Sequence, residues 1–403
     1  MALEPTDRYT IISADCHAGA NHAIYREYLE ARYLDEFDRW RSAYSNPFRD
    51  LQGGGRSRNW DDERRISEQE ADGYVAEVLF PNTVPPFFPT GAVIARPPEP
   101  ESFELRLAGI RAHNRWLADW CDQQPNRRAG VGQIFLNDVD EAIQDVRFIH
   151  ESGLRGGALL PAVPDDMKHI KPLYAPDYDP LWTVCEELGV VLNNHSGGAG
   201  APDYGPYSAA GPLWIAETTF YSRRPLSHLL LGGVFERFPK LRFALTEQGC
   251  AWIPTVLKQL DSFHLQMSRS GRIGEMKYSP DEILPLRPSE YFARNCWVGV
   301  SFPSPAEAAA RNDIGIHHFM WGSDYPHDEG TYPNTREALR RSFSDVEPDE
   351  LQLLLGANAA DLYGFDLQAL GSIAERFGPT VAEISEPFEG VPDGNRSPAF
   401  LRP

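Results

Sequence analysis

The stretch TIISADCHAGANH, residues 10–22, joins a short apolar run to the polar pair Asp15 and His17. Side chains on a strand alternate between its two faces, so Asp15 and His17 point to one side and Cys16 to the other. The stretch therefore predicts a buried strand that brings a carboxylate and an imidazole to one place. We interpret Cys16, on the opposite face, as a structural thiol.

Further runs of the same kind follow along the chain, rich in Val, Ile, Leu and Phe, as expected for parallel strands buried on both faces. Segments with helical periodicity lie between them, for example residues 104–124, 138–152 and 178–189. This alternation predicts an α/β fold, a (β/α)8 TIM barrel, with a doubly wound sheet as its main rival. The eight predicted strands are residues 9–15, 75–81, 128–136, 154–160, 189–195, 241–247, 296–302 and 317–324.

Three segments do not fit the repeat: residues 41–70, 82–100 and 196–222, which are rich in Gly, Pro, charged or aromatic residues. They adjoin predicted carboxyl ends of strands, where long loops are typical of lids or interface arms, although surface elaboration is the alternative. We expect a single barrel domain, residues 1–366, with these insertions at its C-terminal face. Residues 367–403 are then a C-terminal extension.

Composition excludes several classes of function. The formal net charge is −20, from 38 basic and 58 acidic side chains, which argues against nucleic acid and anionic membranes as partners. No run approaches the roughly 18 apolar residues of a membrane span, and the N-terminus shows no secretory signal. The five cysteines form no CxxC pair, which indicates reduced thiols and a cytoplasmic location.

Polar residues recur where the predicted strands end. Asp15 and His17 end the first strand, and His195, Glu247 and Asp324 end the fifth, sixth and eighth. Each alone has an ordinary structural explanation, such as a turn or a helix cap. In a barrel, however, these strand ends converge on one rim, and all five residues are of types that bind divalent metals. Their joint occurrence predicts a metal site.

These motifs resemble the amidohydrolase superfamily, in the amidohydrolase-related branch that includes aminocarboxymuconate-semialdehyde decarboxylase and the resorcylate decarboxylases. The resemblance covers about residues 9–366. It is carried by ISADCHAG, NNHSGG, TEQGCAW, WGSDYPH and, at residues 354–365, LLGANAADLYGF. It implies that Asp324 also shuttles a proton beside a metal-bound water. It further implies the metal ligands Asp15, His17, His195 and Asp324.

The chain departs from the family pattern in two places. The decarboxylases carry a histidine where this chain has Glu247, and a carboxylate there would repel a substrate carboxylate and donate protons poorly at neutral pH. The dinuclear hydrolases usually bridge their metals with a lysine carbamate or glutamate from strand 4, and residues 154–160 contain neither. Glu247 is therefore interpreted both as a catalytic residue and as a ligand that can bridge two cations.

A second metal is an open alternative. A small group that resembles this branch consists of dinuclear non-haem iron or manganese/iron oxygenases, and in such a centre His22 and His327 would be ligands of the second metal. A helix N-terminal residue and a hydrogen-bond partner of a ligand are their alternative roles. Asp328 and Glu329 would orient His327. The remaining histidines considered are interpreted as structural: His228, His264, His317 and His318.

We favour a metal-dependent hydrolase, in which a zinc, iron or manganese site of one or two ions activates water against a carbonyl-like centre of a small organic metabolite. The main alternative is a dinuclear oxygenase, which would need a separate reductase because the chain contains no flavin or iron–sulfur motif. Non-oxidative decarboxylation and a non-catalytic partner subunit remain further alternatives. The insertions and the tail favour a homo- or hetero-oligomer. An apolar substrate wall, or an oligomer interface, is expected from Trp60, Phe87, Phe88, Tyr204 and Tyr207.

Overall fold

The computed structural model describes residues 3–45 and 55–402, so residues 46–54 of the predicted insertion 41–70 lie outside the described residues. Eight parallel strands pair in chain order. The end of the last strand meets the first: Asp324 N donates to Asp15 O over 2.8 Å, and His17 N donates to Tyr325 O over 2.7 Å. This nearly closed barrel confirms the (β/α)8 prediction over the doubly wound rival. The strands are β1 (Ile12–Ala18), β2 (Ala76–Pro81), β3 (Arg128–Gln133), β4 (Gly157–Leu159), β5 (Leu192–His195), β6 (Phe243–Thr246), β7 (Cys296–Ser301) and β8 (Phe319–Gly322).

Helices surround the barrel, and a short hairpin, Arg272–Ile273 with Met276–Lys277, lies between β6 and β7. No helix of the described segments combines the length and apolar content needed to cross a membrane. The helices are α1 (His22–Tyr28), α2 (Leu34–Ala43), α3 (Asp62–Asp72), α4 (Phe103–Asp122), α5 (Val139–Glu151), α6 (Asp179–Leu188), α7 (Ala210–Leu231), α8 (Val234–Arg237), α9 (Ile253–Ser270), α10 (Pro288–Asn295), α11 (Pro305–Ala309), α12 (Arg311–Ile314), α13 (Thr335–Phe343), α14 (Pro348–Gln352), α15 (Asn358–Tyr363), α16 (Leu367–Phe377), α17 (Val381–Ile384) and α18 (Pro398–Leu401).

The first strand was predicted over residues 9–15, but β1 begins at Ile12 and continues to Ala18. Tyr9 N instead donates to Pro379 O over 3.0 Å, so the chain before β1 pairs with the C-terminal segment. Pairing with β2 changes register between Ser13 and Cys16. The Ser13 hydroxyl donates to Asp15 O over 2.8 Å at this irregularity. The strand can therefore carry Asp15 and His17 to the rim although its regular pairing is interrupted.

Two of the three predicted loop insertions contain long helices. Helix α3 occupies the end of 41–70, and α7 begins inside 196–222. Helix α3 is anchored by Arg65, which is fully buried and donates from Nη2 to Glu77 Oε2 on β2 over 2.6 Å. Arg65 Nη1 also donates to His17 O over 2.9 Å. The helix thus holds the backbone of a predicted metal ligand in place.

The predicted extension, residues 367–403, packs back on the barrel domain. Val381 N donates to Asp7 O over 2.9 Å. Arg336 on α13 forms an ion pair of 2.9 Å with Glu383 on α17. The segment is therefore part of the folded body, and its last residues reach the cavity described below.

Candidate metal centre

Asp15 and His17 are fully buried at the carboxyl end of β1. His17 Nε2 lies 3.4 Å from Asp15 Oδ1 and 3.3 Å from Asp324 Oδ1, and it has no hydrogen-bond partner of acceptable geometry among the described residues. The Ser301 hydroxyl on β7 donates to Asp15 Oδ2. The side chains from one strand therefore do meet, and a third side chain, the carboxylate of Asp324, joins them.

His195 ends β5 and presents its ring to the same place. Its Nδ1 lies 2.7 Å from Ser196 O, a carbonyl that can only accept a hydrogen bond, so Nδ1 carries the proton. The lone pair of Nε2 then faces Asp15 Oδ1 at 3.3 Å. A backbone carbonyl that fixes the tautomer in this way is typical of metal-binding histidines.

The spacing of these atoms fits one divalent cation. Two ligand atoms that each lie about 2.1 Å from a metal, at tetrahedral angles, are about 3.4 Å apart. His17 Nε2 lies 3.4 Å from Asp15 Oδ1 and 3.3 Å from Asp324 Oδ1, and Asp15 Oδ1 lies 3.3 Å from His195 Nε2. The ligand atoms that all lie within 4.8 Å of one another belong to Asp15, His17, His195 and Glu247, and Asp324 adjoins them through His17. In addition, His17 Nε2 and Asp324 Oδ2 are buried without a hydrogen-bond partner in the described part of the chain. Buried polar atoms are rarely left so, and a bound cation would satisfy both.

Two residues of the site have a backbone conformation that is uncommon for residues other than glycine. Glu247, directly after β6, has a φ of 57°, and Asp324, two residues after β8, has a φ of 59°. Such positive φ angles cost free energy and are typical of functional sites, where the fold holds a side chain in a required direction. Nothing in the amino-acid pattern marks these angles.

Glu247 lies close to Asp15, His17 and His195 and also to Asp324. One carboxylate oxygen lies 3.4 Å from His195 Nδ1, and ligand atoms of Glu247, Asp15, His17 and His195 all lie within 4.8 Å of one another. Burial, together with the nearby carboxylates of Asp324 and Asp15, raises the pKa of Glu247 well above its ordinary value. The side chain is therefore placed either to bind metal or to handle a proton.

Glu329 joins the site although the sequence suggested only an orienting role for it. Carboxylate oxygens of Glu247, Asp324 and Glu329 lie within 4.8 Å of one another. The available signal was its position five residues after Asp324 in WGSDYPHDEG. An acidic residue in a loop, however, is too common to indicate a ligand by itself.

His327 contacts Asp324, and ligand atoms of His17, Asp324 and His327 all lie within 4.8 Å of one another, so its predicted role as a second-metal ligand stays a prediction. Its Nδ1 lies 2.7 Å from Asp324 Oδ1 and its Nε2 lies 3.1 Å from Asn82 Oδ1. Asn82 Nδ2 donates in turn to Asn59 Oδ1 over 2.7 Å, which leaves the Asn82 oxygen to accept from His327. Although burial opposes it, Asp324 raises the pKa of His327 well above its ordinary value. Both ring nitrogens of His327 thus face oxygen atoms, and Asn82 and Asn59 are partners that sequence patterns missed.

The structure does not bring His22 to the metal centre. Its Nε2 lies 3.0 Å from Val84 O, and its ring packs against Trp40 and Tyr44. Burial lowers the pKa of His22 to about 4. The side chain begins α1, which matches the alternative role considered for it.

Three of the four histidines interpreted as structural, His228, His264 and His318, have contacts away from the centre. His264 Nε2 lies 2.8 Å from Leu284 O, and His318 Nδ1 lies 2.9 Å from Cys296 O. The His228 ring packs edge-on against Tyr174. These contacts agree with their assignment.

Cys16 is also structural. It is fully buried and donates from Sγ to Ser13 Oγ over 3.2 Å, with Ser323 Oγ at 3.3 Å. Burial raises the pKa of the thiol, which keeps it protonated and unreactive.

The five aromatic residues do not form one substrate wall. Phe87 packs against Phe37, whereas Phe88 stacks on Phe135. Tyr207 is 75% exposed, and the Tyr204 hydroxyl donates to Glu217 Oε2 over 2.5 Å. Trp60 lines a separate cavity beside His22. Their predicted role as a common wall is wrong.

A cavity of about 790 Å³ opens over the donor set and is lined by His195, Glu247 and His327. Arg223 and Arg402 bring positive charge to its wall. Arg402 comes from the C-terminal segment, so that segment contributes to the cavity. The apolar part of the wall is formed by Val93, Ile94, Trp214, Ile215 and Phe302.

A family model described as Amidohydrolase matches residues 14–365. The chain belongs to the amidohydrolase family. A curated relative, gamma-resorcylate decarboxylase from Rhodococcus jostii, is 27% identical over 273 residues, which are 64% of this chain and 76% of the relative. The resemblance to the amidohydrolase-related branch is thereby confirmed.

Solved structures show the same fold. The 5-carboxyvanillate decarboxylase of Sphingomonas paucimobilis has a TM-score of 0.64 at 20% identity and covers 89% of this chain and 100% of its own. A dihydroxybenzoic acid decarboxylase from Polaromonas, which holds manganese and 2-nitroresorcinol, has a TM-score of 0.61 at 17% identity and covers 89% and 98%. A Mycobacterium avium amidohydrolase has a TM-score of 0.62 at 19% identity and covers 88% and 99%. This member of the amidohydrolase family is a metal-dependent enzyme. Its donor set lies at the carboxyl ends of the barrel strands, as the sequence predicts.

Proposed function

We propose that this amidohydrolase is a metal-dependent decarboxylase that acts on a small hydroxylated aromatic acid. The observation that carries the proposal is the donor set of Asp15, His17 and His195, linked by distances of 3.3–3.4 Å that suit one cation, with Asp324 at 3.3 Å from His17. Strand β4, residues Gly157–Leu159, provides no lysine or glutamate to bridge a pair of metals. The curated relative is a resorcylate decarboxylase. Together these points favour decarboxylation over the hydrolysis expected from the sequence.

The residues of the chain suit the required proton transfer. A cation held by the donor set would attract substrate oxygens and stabilise the negative charge on them. Asp324, held at Oδ1 by His327, takes the proton of a phenolic hydroxyl of the substrate and passes it to the ring carbon that carries the carboxylate. The bond to the carboxylate carbon then breaks, its electron pair restores the aromatic ring, and carbon dioxide leaves.

The experiment is turnover in D2O with protein loaded with Mn²⁺ or Zn²⁺. The substrates are 2,6-dihydroxybenzoate and 5-carboxyvanillate, the acids named by the relatives, together with neutral aryl esters. We expect carbon dioxide and one deuterium at the carbon that lost the carboxylate, measured by proton NMR. Ester hydrolysis without any decarboxylation would overturn the proposal in favour of a hydrolase.

The residue Glu247 tests how far the substrate differs from those of the relatives. The relatives' branch has a histidine at this position by the sequence resemblance, so Glu247→His restores that residue. We expect the variant to gain activity toward 2,6-dihydroxybenzoate relative to the wild type, because a carboxylate no longer faces the substrate carboxylate. If Glu247→His and the wild type were equally active toward 2,6-dihydroxybenzoate, Glu247 would not determine which acid the enzyme accepts.

A second candidate function, dinuclear hydrolysis or oxygenation, is favoured by one observation. Carboxylate oxygens of Glu247, Asp324 and Glu329 all lie within 4.8 Å of one another, beside the donor set of Asp15, His17 and His195. A second cation there would share Glu247 and Asp324 with the first.

Metal content decides between these candidates. If the second site exists, Glu329→Gln lowers the content measured by mass spectrometry from two ions per chain to one. The matched control, Asp328→Asn, changes an exposed neighbouring carboxylate and keeps two. One ion per chain in the wild type, unchanged in Glu329→Gln, would rule out the dinuclear centre.

A further inference from the structure

A second cavity lies beside the metal centre, and most of the residues that line it differ from those of the larger cavity. It shares Val93, His195 and Gly197 with the larger cavity. Its volume is about 70 Å³, which is room for several water molecules or for a small ligand group. No acidic side chain among the described residues lines it. Most of its wall is apolar, including Phe135, Leu159, Leu160, Ala162 and Leu173.

A buried arginine without a counter-ion lines this cavity. Arg106, in the first turn of α4, is only 6% exposed. Its Nη1 donates to Arg96 O over 2.7 Å, but Nε and Nη2 have no hydrogen-bond partner within the described segments. Burial alone lowers the pKa of Arg106, to about 10, so the side chain remains charged at neutral pH. Burying a charge in this way costs free energy unless an anion is supplied.

Other buried arginines in the chain show what is missing at Arg106. Arg65 is paired with Glu77 at 2.6 Å, and Arg128 is paired with Asp62 at 2.5 Å. Arg106 instead lies over the rings of Phe88 and Phe135, with distances of 4.0 Å and 5.5 Å to their centres. The aromatic rings lie against the guanidinium, and its Nε and Nη2 remain buried without a hydrogen-bond acceptor among the described residues.

Further unpartnered polar atoms belong to the same cavity. Gln133 is 4% exposed, and its Nε2 has no hydrogen-bond partner among the described residues. The same is true of His228 Nδ1, and both side chains line the cavity. An amide N–H and a planar guanidinium in a small apolar space are suited to a carboxylate, which accepts two parallel hydrogen bonds from arginine.

We propose that this cavity is a carboxylate-binding site anchored by Arg106. Its volume fits a short monocarboxylate or the carboxylate end of a longer molecule that also reaches the metal centre past His195. The site rests on Arg106 and the cavity, not on the reaction, so it stands independently of the decarboxylase proposal.

The test is binding of fluoroacetate to the full-length chain, followed by fluorine NMR, with fluoroacetamide as the uncharged isostere. It is run on metal-loaded protein and on protein stripped by a chelator, so that binding to metal is counted separately. We expect stripped wild-type protein to bind fluoroacetate at least tenfold more tightly than fluoroacetamide. Equal binding of the two, or none of either, overturns the proposal.

Variants locate the binding. Arg106→Gln should weaken fluoroacetate binding at least tenfold, because it removes the charge and the two unpartnered donor groups. The matched control is Arg115→Gln on the same helix, whose side chain donates to Tyr28 O instead and should leave binding unchanged. If Arg106→Gln does not fold, Gln133→Leu is used, with an expected loss of several-fold. Full binding by either folded cavity variant, or equal loss in the control, overturns the assignment.

Enzyme kinetics distinguish two sources of the bound carboxylate, the substrate itself and a free monocarboxylate. If the substrate's own carboxylate occupies the site, fluoroacetate competes with the acid substrate, and Arg106→Gln raises KM more than it lowers kcat. If a free carboxylate occupies it, inhibition or activation by fluoroacetate is not competitive and disappears in Arg106→Gln. Failure of decarboxylation leaves the NMR result intact, so the two proposals fail separately.

Discussion

At the residue scale, Asp324→Asn is the most informative change. Asparagine tolerates the positive φ that Asp324 adopts, so the backbone should keep its shape. The variant loses a proton carrier and one anionic ligand, and we expect turnover to fall by a factor of roughly 10² to 10⁴. At least one metal ion should remain bound, as measured by mass spectrometry. Asp328→Asn, in the same loop but exposed, is the control; normal turnover by Asp324→Asn would exclude Asp324 from the chemistry.

The ligand types were predictable at this scale because they follow from period-two alternation and from convergence of strand ends. Their hydrogen-bond partners were not. Asn59 and Asn82 are 23 positions apart, and Asn82 and His327 are 245 positions apart. No local pattern connects residues that the barrel closure brings together. The positive φ angles of Glu247 and Asp324 likewise arise from the folded rim and not from residue type.

At the scale of elements, the predicted alternation was confirmed, but helices α3 and α7 were taken for loops. The buried face of α3 is polar, with Arg65, Gln69 and Asp72 at helical spacing, so an apolar periodicity could not reveal it. Helix α7 contains Pro225 and exposes the apolar residues Ile215 and Phe220. Its sequence therefore lacks the amphipathic periodicity that indicates a helix. Helix α3 is held by Thr335, 263 positions from Asp72, and α7 by Asp165, which accepts a hydrogen bond from Arg224, 59 positions away.

The buried pair that anchors α3 gives a stability prediction. Glu77 is 1% exposed, and Glu77→Gln leaves Arg65 as an uncompensated buried charge. We expect the free energy of unfolding to fall by about 3–5 kcal/mol in urea titrations. The control Asp38→Asn breaks the exposed pair with Arg26 and should leave the free energy of unfolding almost unchanged. A loss no larger than that of the control would mean that the pair does not anchor α3.

At the scale of the whole molecule, Asp72 joins the N-terminal and C-terminal halves. Its Oδ1 accepts from Thr335 N over 3.0 Å, so α3 is tied to α13. Burial raises the pKa of Asp72 to about 7, whereas an unfolded aspartate has a pKa of about 4. The folded chain therefore binds this proton more tightly. The resulting contribution to stability is complete below pH 4 and is lost as the pH rises toward 7.

Asp72→Asn removes this dependence, because the amide still accepts from Thr335 N and never ionises. Relative to wild type, the variant should be nearly unchanged near pH 4 and more stable by about 2–4 kcal/mol at pH 8. Urea unfolding of both proteins at pH 5, 6, 7 and 8 measures the difference, in which titrations of the metal centre cancel. Asp345→Asn, an exposed carboxylate, should give a profile parallel to wild type. If the pH profile of Asp72→Asn is also parallel to that of the wild type, Asp72 is already ionised between pH 5 and pH 8. The contact between α3 and α13 then contains a buried charge.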